Sequence, residues 1–388
     1  MNLAEIQQEL RKQQLDGWLF FDHHQRDPLA YRVLGFAPSR HVTRRWYYLI
    51  PASGEPAGLV HRIESGMLDP LPGEKRSYSS WTEQHDGLRA MLAGCRRVAM
   101  QYSPQCAIFY VSMVDAGTVE LVRSMGVEIS SSADLIQHFE ARWTPAALES
   151  HLEAGRRVDR VRAEAFRMIG ERLRGGGRVS EYEVQQFIRE GFTRAGLFTD
   201  HGPIVGVNAN ASNPHYEPTA EAHSEIHSGD LVLIDLWAKL DQPRAVYYDI
   251  TWTGVCGDPS DEMNRVFSVV REARDRAVSR VQHAIAWGED LRGFEVDDAA
   301  RGYIQEQGYG PYFTHRTGHS IGEDVHGSGA NMDNLETHDE RRVTPWTCFS
   351  VEPGIYLPKF GVRTEVNVFA GEDGARVTGE VQRELVIV

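Results

Sequence analysis

Four carboxylates stand alone inside apolar, strand-like runs: Asp235 within 231–237, Asp249 within 246–252, Glu352 within 349–353 and Glu365 within 362–366. An ionised carboxylate buried without a partner costs several kcal/mol or takes up a proton. One such residue is readily satisfied by an arginine or by backbone amides. Four need a common partner, and a metal centre is the economical one, because cations neutralise the cluster and use the oxygen lone pairs. Imidazoles come from the segment 315–327, which carries His315, His319 and His326. Glycines at 318, 322 and 327 disfavour a helix there, so a strand or tight loop presents the rings. The pattern is not the HExxH helix that holds a single zinc. One imidazole with four carboxylates is a hard, oxygen-dominated set, suited to a pair of Mn²⁺, Co²⁺ or Zn²⁺ ions. Four carboxylates exceed what one catalytic zinc uses, which favours a two-metal site bridged by carboxylates and a hydroxide.

The elements that must position these groups lie in the second part of the chain. Asp235 and Asp249 are fourteen residues apart, which fits two antiparallel strands joined by a hairpin. Upstream, Thr144-Pro145 predicts a helix start, with Thr as N-cap and Pro at the first position, and the helix runs to about residue 173. Ser180 and Glu183 form a capping-box pattern, continued by Val184, Phe187, Ile188 and Phe192 as one apolar face. Further helices are expected from about Pro259 and over 296–304. The first part reads as a small α/β domain, with strands at 18–21, 46–50, 58–60 and 98–102 and a helix over 111–125. The domain boundary is placed at 143/144, giving domains 1–143 and 144–388.

Length and composition set the limits. The chain has 388 residues, enough for two domains, and its 41% apolar and 25% charged residues are those of a soluble globular protein. A formal net charge of −14 disfavours phosphate backbones and anionic lipids, so neither nucleic acid nor membrane is an expected partner. No uninterrupted apolar stretch is long enough to span a bilayer, and the amino terminus lacks a secretory h-region, so a cytoplasmic location is expected. The four cysteines are scattered without a CxxC pair and are expected as reduced, buried thiols.

The histidine segment, with Val351-Glu352-Pro353-Gly354 and Val362-Arg363-Thr364-Glu365 after it, resembles the pita-bread metallopeptidases. That family includes prolidase, aminopeptidase P, methionine aminopeptidase and the creatinases, and the chain is most similar to the Xaa-Pro dipeptidases. The resemblance covers roughly 144–388, and the first part looks like the creatinase/prolidase amino-terminal domain. It implies an α/β (α+β) fold, a small amino-terminal domain followed by a pita-bread catalytic domain. Asp235 would chelate one metal, Asp249 and Glu365 would bridge both, and His319 and Glu352 would bind the other. Glu352 would also hold the attacking water and pass on its proton. His215, in Asn213-Pro214-His215-Tyr216, would contact the scissile peptide, and His326 would steady the oxyanion. Arg363, two residues before Glu365, would orient the acidic cluster. The cofactor implied is a pair of divalent ions, with Mn²⁺ first. The substrate implied is a small Xaa-Pro peptide, and the assembly implied is a homodimer.

Two departures stand out. Leu236-Trp237 follows the first Asp where many members place small residues. No arginine is singled out to hold a dipeptide's carboxylate, although Arg341 and Arg342 lie in a plausible region. The run 339–342 reads most simply as a solvated turn. His315 either supports the ligands or touches substrate, and His201, His223, His227 and His338 read as surface or structural. Two competing functions are a creatinase- or ectoine-hydrolase-like C–N hydrolase and a non-catalytic scaffold of the same fold. The intact ligand set argues against both.

Overall fold

Period-two apolar runs become strands and period-3.6 runs become helices in a computed structural model that describes residues 1–36 and 41–388. The chain divides into two compact units, Met1–Glu140 and Ala141–Val388.

Among the described residues the first unit holds six strands, β1 (Gly17–Asp22), β2 (Trp46–Pro51), β3 (Ala57–His61), β4 (Glu74–Tyr78), β5 (Arg97–Met100) and β6 (Glu128–Ser131). They form one mixed sheet in the order β4-β3-β2-β1-β5-β6. Its helices are α1 (Leu3–Lys12), α2 (Pro28–Leu34), α3 (Trp81–Met91), α4 (Ala116–Ser124) and the short α5 (Ala133–Ile136). Trp18 and Phe20 enter one core and Leu19 and Phe21 the other, because successive side chains of a strand face opposite sides. The helix expected over 111–125 begins only at Ala116. Asp115 caps it by accepting from Thr118 N, and residues 113 and 114 are held instead by the Gln101 carbonyl.

In the second unit, α6 (Pro145–Arg174) starts with Thr144 accepting from Ala147 N. Then α7 (Glu181–Arg194) carries the full Ser180/Glu183 capping box. Next come β7 (Leu197–Phe198), β8 (Ile204–Val207), β9 (Leu231–Leu240) and β10 (Tyr248–Val255), followed by α8 (Asp261–Trp287) and α9 (Gly293–Glu306). The chain closes with β11 (Ser320–Ile321), β12 (Thr347–Val351), β13 (Gly354–Tyr356), β14 (Gly361–Arg363), β15 (Val366–Ala370), β16 (Ala375–Thr378) and β17 (Val386–Ile387). One sheet runs β17-β10-β9-β7, with β8 also on β9; another runs β11-β12-β15-β16, and β13-β14 form a ribbon.

Strand alternation decides where the chemistry goes. On β9, Val232, Ile234, Leu236 and Ala238 pack with α6 and α7. Leu231 and Leu233 face the other way, onto α8 and the β12/β15 sheet. Asp235 and Trp237 have the parity of that second face. The antiparallel register places Asp249 opposite Trp237 and Thr251 opposite Asp235, so both aspartates share it. No helix among the described residues is long and apolar enough to cross a membrane.

Two further sequence expectations change. Asp339 and Arg341 are buried, not a solvated turn: Arg341 makes a two-pronged ion pair with Asp339 and donates to Ser328 O at 2.8 Å. The pair is tolerated because Asp339 also accepts from Asn331 N and Arg341 N. Among the cysteines only Cys256 and Cys348 are buried, and Cys106 is exposed.

Candidate metal centre

The segment 317–319 runs alongside 350–352. Glu352 N donates to Thr317 O at 2.7 Å, Ser350 N to His319 O at 2.8 Å, and His319 N to Ser350 Oγ at 2.9 Å. Gly318 permits this approach, since a Cβ there would lie 1.9 Å from Ser350 O. His319 is thereby held against Glu352, with Nε2 3.4 Å from Glu352 Oε1 and 3.5 Å from Asp249 Oδ2. Its other nitrogen, Nδ1, lies 3.1 Å from Ser320 O. A carbonyl only accepts, so Nδ1 carries the proton and Nε2 keeps its lone pair toward the carboxylates. Asp249, His319 and Glu365 offer ligand atoms that all lie within 4.8 Å of one another, and all three are buried.

Glu365 sits in the break between β14 and β15. Its amide donates to Thr251 O at 3.0 Å and its Oε2 accepts from Thr251 Oγ1 at 2.8 Å. Asp235 joins through Arg363, whose Nη2 pairs with Asp235 Oδ2. The same guanidinium donates to Thr251 Oγ1 at 2.9 Å and Tyr356 Oη at 3.1 Å, and Nε lies 3.8 Å from Glu352 Oε2. His315 Nδ1 faces Arg316 O at 2.6 Å, so Nδ1 donates, and Nε2 accepts from Tyr356 Oη at 2.6 Å. Both its nitrogens are therefore occupied, one by the Arg316 carbonyl and the other by Tyr356.

Burial pushes the Asp235 carboxyl up to about 6, against the pull of Arg363. Burial and then Glu352 raise Asp249 well above the carboxylate range, and burial with Asp249 and Glu352 does the same to Glu365. Arg363 stays firmly protonated, since Tyr356 and the surrounding carboxylates outweigh its burial. One guanidinium does not balance four carboxylates. Asp249 Oδ1 and Glu365 Oε1 are buried without any hydrogen-bond partner, the condition a divalent ion relieves. The donor set fits such an ion.

His326 lies edge-on to His319, ring centroids 4.4 Å apart. Its pKa falls to about 3 because His319, burial, Arg316 and His215 all oppose its positive charge. His215 sits on an exposed loop that follows a short helical turn, Asn208–Ser212. Buried Glu181 anchors this loop: its carboxylate accepts from Val207 N, Asn210 Nδ2, Ser224 N and Tyr216 Oη at 2.6–2.9 Å. Asp235, Asp249, His315, His319, His326, Glu352, Arg363 and Glu365 are joined by these contacts, whereas Arg341 and Arg342 are not. Arg341 is engaged as above, and Arg342 lies outside, 2.9 Å from Asp290. Thr251 and Tyr356 went unmarked in the sequence. Thr251 was within reach, being two residues after Asp249 on the same strand face; Tyr356 had no local signal.

A model of Metallopeptidase family M24 matches residues 149–372. The Xaa-Pro dipeptidase of Lactobacillus delbrueckii subsp. lactis is 30% identical over 266 residues, 66% of this chain and 64% of that relative's length. Among solved structures, recombinant prolidase from Thermococcus sibiricus superposes with a TM-score of 0.67 at 26% identity, covering 100% of this chain and 98% of that one. Dipeptidase PepE from Mycobacterium ulcerans reaches a TM-score of 0.73 at 24% identity over 100% and 96%, a likeness of fold. With the family's model spanning the strands that carry the carboxylates and the histidine segment between them, the chain belongs to metallopeptidase family M24.

Proposed function

We propose that this protein hydrolyses the bond preceding proline in Xaa-Pro dipeptides or short peptides, with two divalent ions held by Asp235, Asp249, His319, Glu352 and Glu365. The observation that carries this reading is the pair of buried, unpartnered oxygens on Asp249 and Glu365 within one cluster. The relatives named Xaa-Pro dipeptidase and prolidase supply the substrate class. When bound, the ions supply Lewis acidity and a nucleophile at neutral pH. Glu352, less buried than its neighbours, takes the proton of the attacking water and returns it to the proline nitrogen, which lacks a hydrogen and cannot leave as an anion. His326 donates an N–H to the carbonyl oxygen as charge develops, and His215 orients the scissile amide. Arg363 holds Asp235 in place while shielding its charge.

Mn²⁺ as the ion in use, a cytoplasmic homodimer, and a creatinase/prolidase-type amino-terminal domain over 1–143 complete the reading, by family likeness. Elemental analysis after incubation with Mn²⁺ or Co²⁺, and a panel of Xaa-Pro dipeptides, Xaa-Pro tripeptides and creatine, test it. Two equivalents of metal and cleavage of Xaa-Pro are expected. Absence of bound metal, or turnover of creatine alone, would overturn it. Sedimentation near the monomer mass with activity retained would remove the dimer.

A further inference from the structure

Trp237 is the large residue that departs from the small ones expected after the first aspartate. It stands directly opposite Asp249 in the β9–β10 register and on the Asp235 face. Its indole Nε1 donates to Asp200 Oδ1 at 3.1 Å, in the bend between β7 and β8. The buried Tyr247 ring also brings its hydroxyl to Asp200. Asp200 therefore lies one side chain away from the carboxylate cluster, and its charge is felt at both Asp249 and His326. The Asp200 side chain remains 41% exposed. Among the described residues no lysine or arginine pairs with it; it also faces the His201 ring, Nδ1 at 3.1 Å from Oδ2. Lys239, the closest basic residue along the strand, is turned toward Glu323 O and the Tyr247 ring.

A carboxylate held by the Trp237 indole, open to solvent and set beside a reaction centre presents negative charge to whatever enters. We propose that Asp200 is a specificity-determining residue that binds a cationic group of the substrate, an ammonium or guanidinium on the residue amino-terminal to the scissile bond. Trp237 is its positioning residue. The inference rests on the Xaa-Pro reading above and deepens it. The cation has two sources, the free α-ammonium and a basic side chain, and they share the same chemistry.

The test compares Lys-Pro, Arg-Pro, norleucyl-Pro and a 2-hydroxyacyl-Pro analogue lacking the ammonium, in the metal-loaded wild type and in Asp200→Asn, Asp200→Glu and Trp237→Phe. If a basic side chain is the cation, wild type favours Lys-Pro over norleucyl-Pro in kcat/KM. Asp200→Asn then shrinks that ratio by roughly 5–20-fold, Asp200→Glu keeps part of it, and Trp237→Phe falls between. If the α-ammonium is the cation, Asp200→Asn raises KM for every dipeptide but not for the hydroxyacyl analogue. Either result supports the proposal. Ratios and KM unchanged within about twofold in a folded, metal-loaded Asp200→Asn protein would overturn it, leaving Asp200 as a partner for the indole alone. Should wild type cleave none of these compounds, the Xaa-Pro reading fails. Calorimetric binding of Lys-Pro against norleucyl-Pro to wild type and Asp200→Asn then decides Asp200 separately: a preference lost on substitution upholds it, and equal affinities refute it.

Discussion

Replacing Arg363 with methionine keeps most of the side-chain volume and removes the guanidinium that contacts Asp235 and Glu352. Arg363 is 2% exposed and Asp235 8%, so that pair is broken largely out of water. Removing one partner of a buried pair costs about 3–5 kcal/mol. For a unit the size of Ala141–Val388, that corresponds to a fall in Tm of roughly 6–20 °C. The fall should be largest when the cluster has no other cation. Divalent ions at Asp249, His319 and Glu365 take over the neutralisation, so saturating Mn²⁺ should recover more than half of the loss. Thermal unfolding followed by tryptophan fluorescence, for wild type and Arg363→Met with chelator and with Mn²⁺, measures all four states. Arg363→Lys should fall between them, since it keeps the charge but not the bonds to Thr251 and Tyr356. An equal loss with and without metal, or a chelated loss under about 1 kcal/mol, would show that Arg363 does not balance the cluster.

Asp235→Asn should weaken metal binding and regain activity at high metal, whereas Glu352→Gln should regain little, because it loses the proton acceptor as well; metal titration with turnover separates the two. His215→Ala should keep its metal while kcat falls about 10²–10⁴-fold, and His326→Ala should lose about 2.7–4 kcal/mol of transition-state stabilisation; loss of metal from either would refute the assigned roles. Buried His151 bonds Tyr247 O at 2.7 Å and Thr378 Oγ1 at 2.6 Å, and burial lowers its pKa to about 4. Its unfolded pKa is near 6.5, so the unfolded chain takes up the proton first: stability is whole above that pH and declines as pH falls toward 4, by up to about 3 kcal/mol. His151→Gln should flatten that limb in denaturant melts run across pH 4–7, and an unchanged slope would count against it. Glu181→Ala strips the acceptor from the donors that hold the 207–216 loop, so kcat should drop with metal content retained; equal kcat would mean His215 is positioned without it.

The carboxylates were legible because a strand core penalises a lone charge, and four such penalties in one half of the chain have few physical solutions. The helix starts at Thr144-Pro145 and Ser180 were legible for a similar reason: capping is satisfied within four residues, so local sequence contains both partners. The start of α4 was missed because residues 113 and 114 bond the Gln101 carbonyl, a partner more than ten residues away. Asp339 and Arg341 read as a solvated turn since charge runs usually are. Their burial depends on Ser328 O and Asn331 N arriving from another stretch of chain.

The sequence by itself determined which residue types share a face: period two put Asp235 with Trp237 on β9 and Asp249 with Thr251 on β10, and glycine at 318 allowed a backbone to pass where no Cβ fits. What only the tertiary structure decided is which groups those residues meet and which remain open. Arg363 reaches Asp235 across 128 positions and Trp237 reaches Asp200 across 37. Asp249 Oδ1 and Glu365 Oε1 end with no partner at all. Side-chain identity is local, whereas the satisfaction of a buried charge is a property of everything packed around it, and that is where the metal requirement and the charge at the mouth of the site become visible.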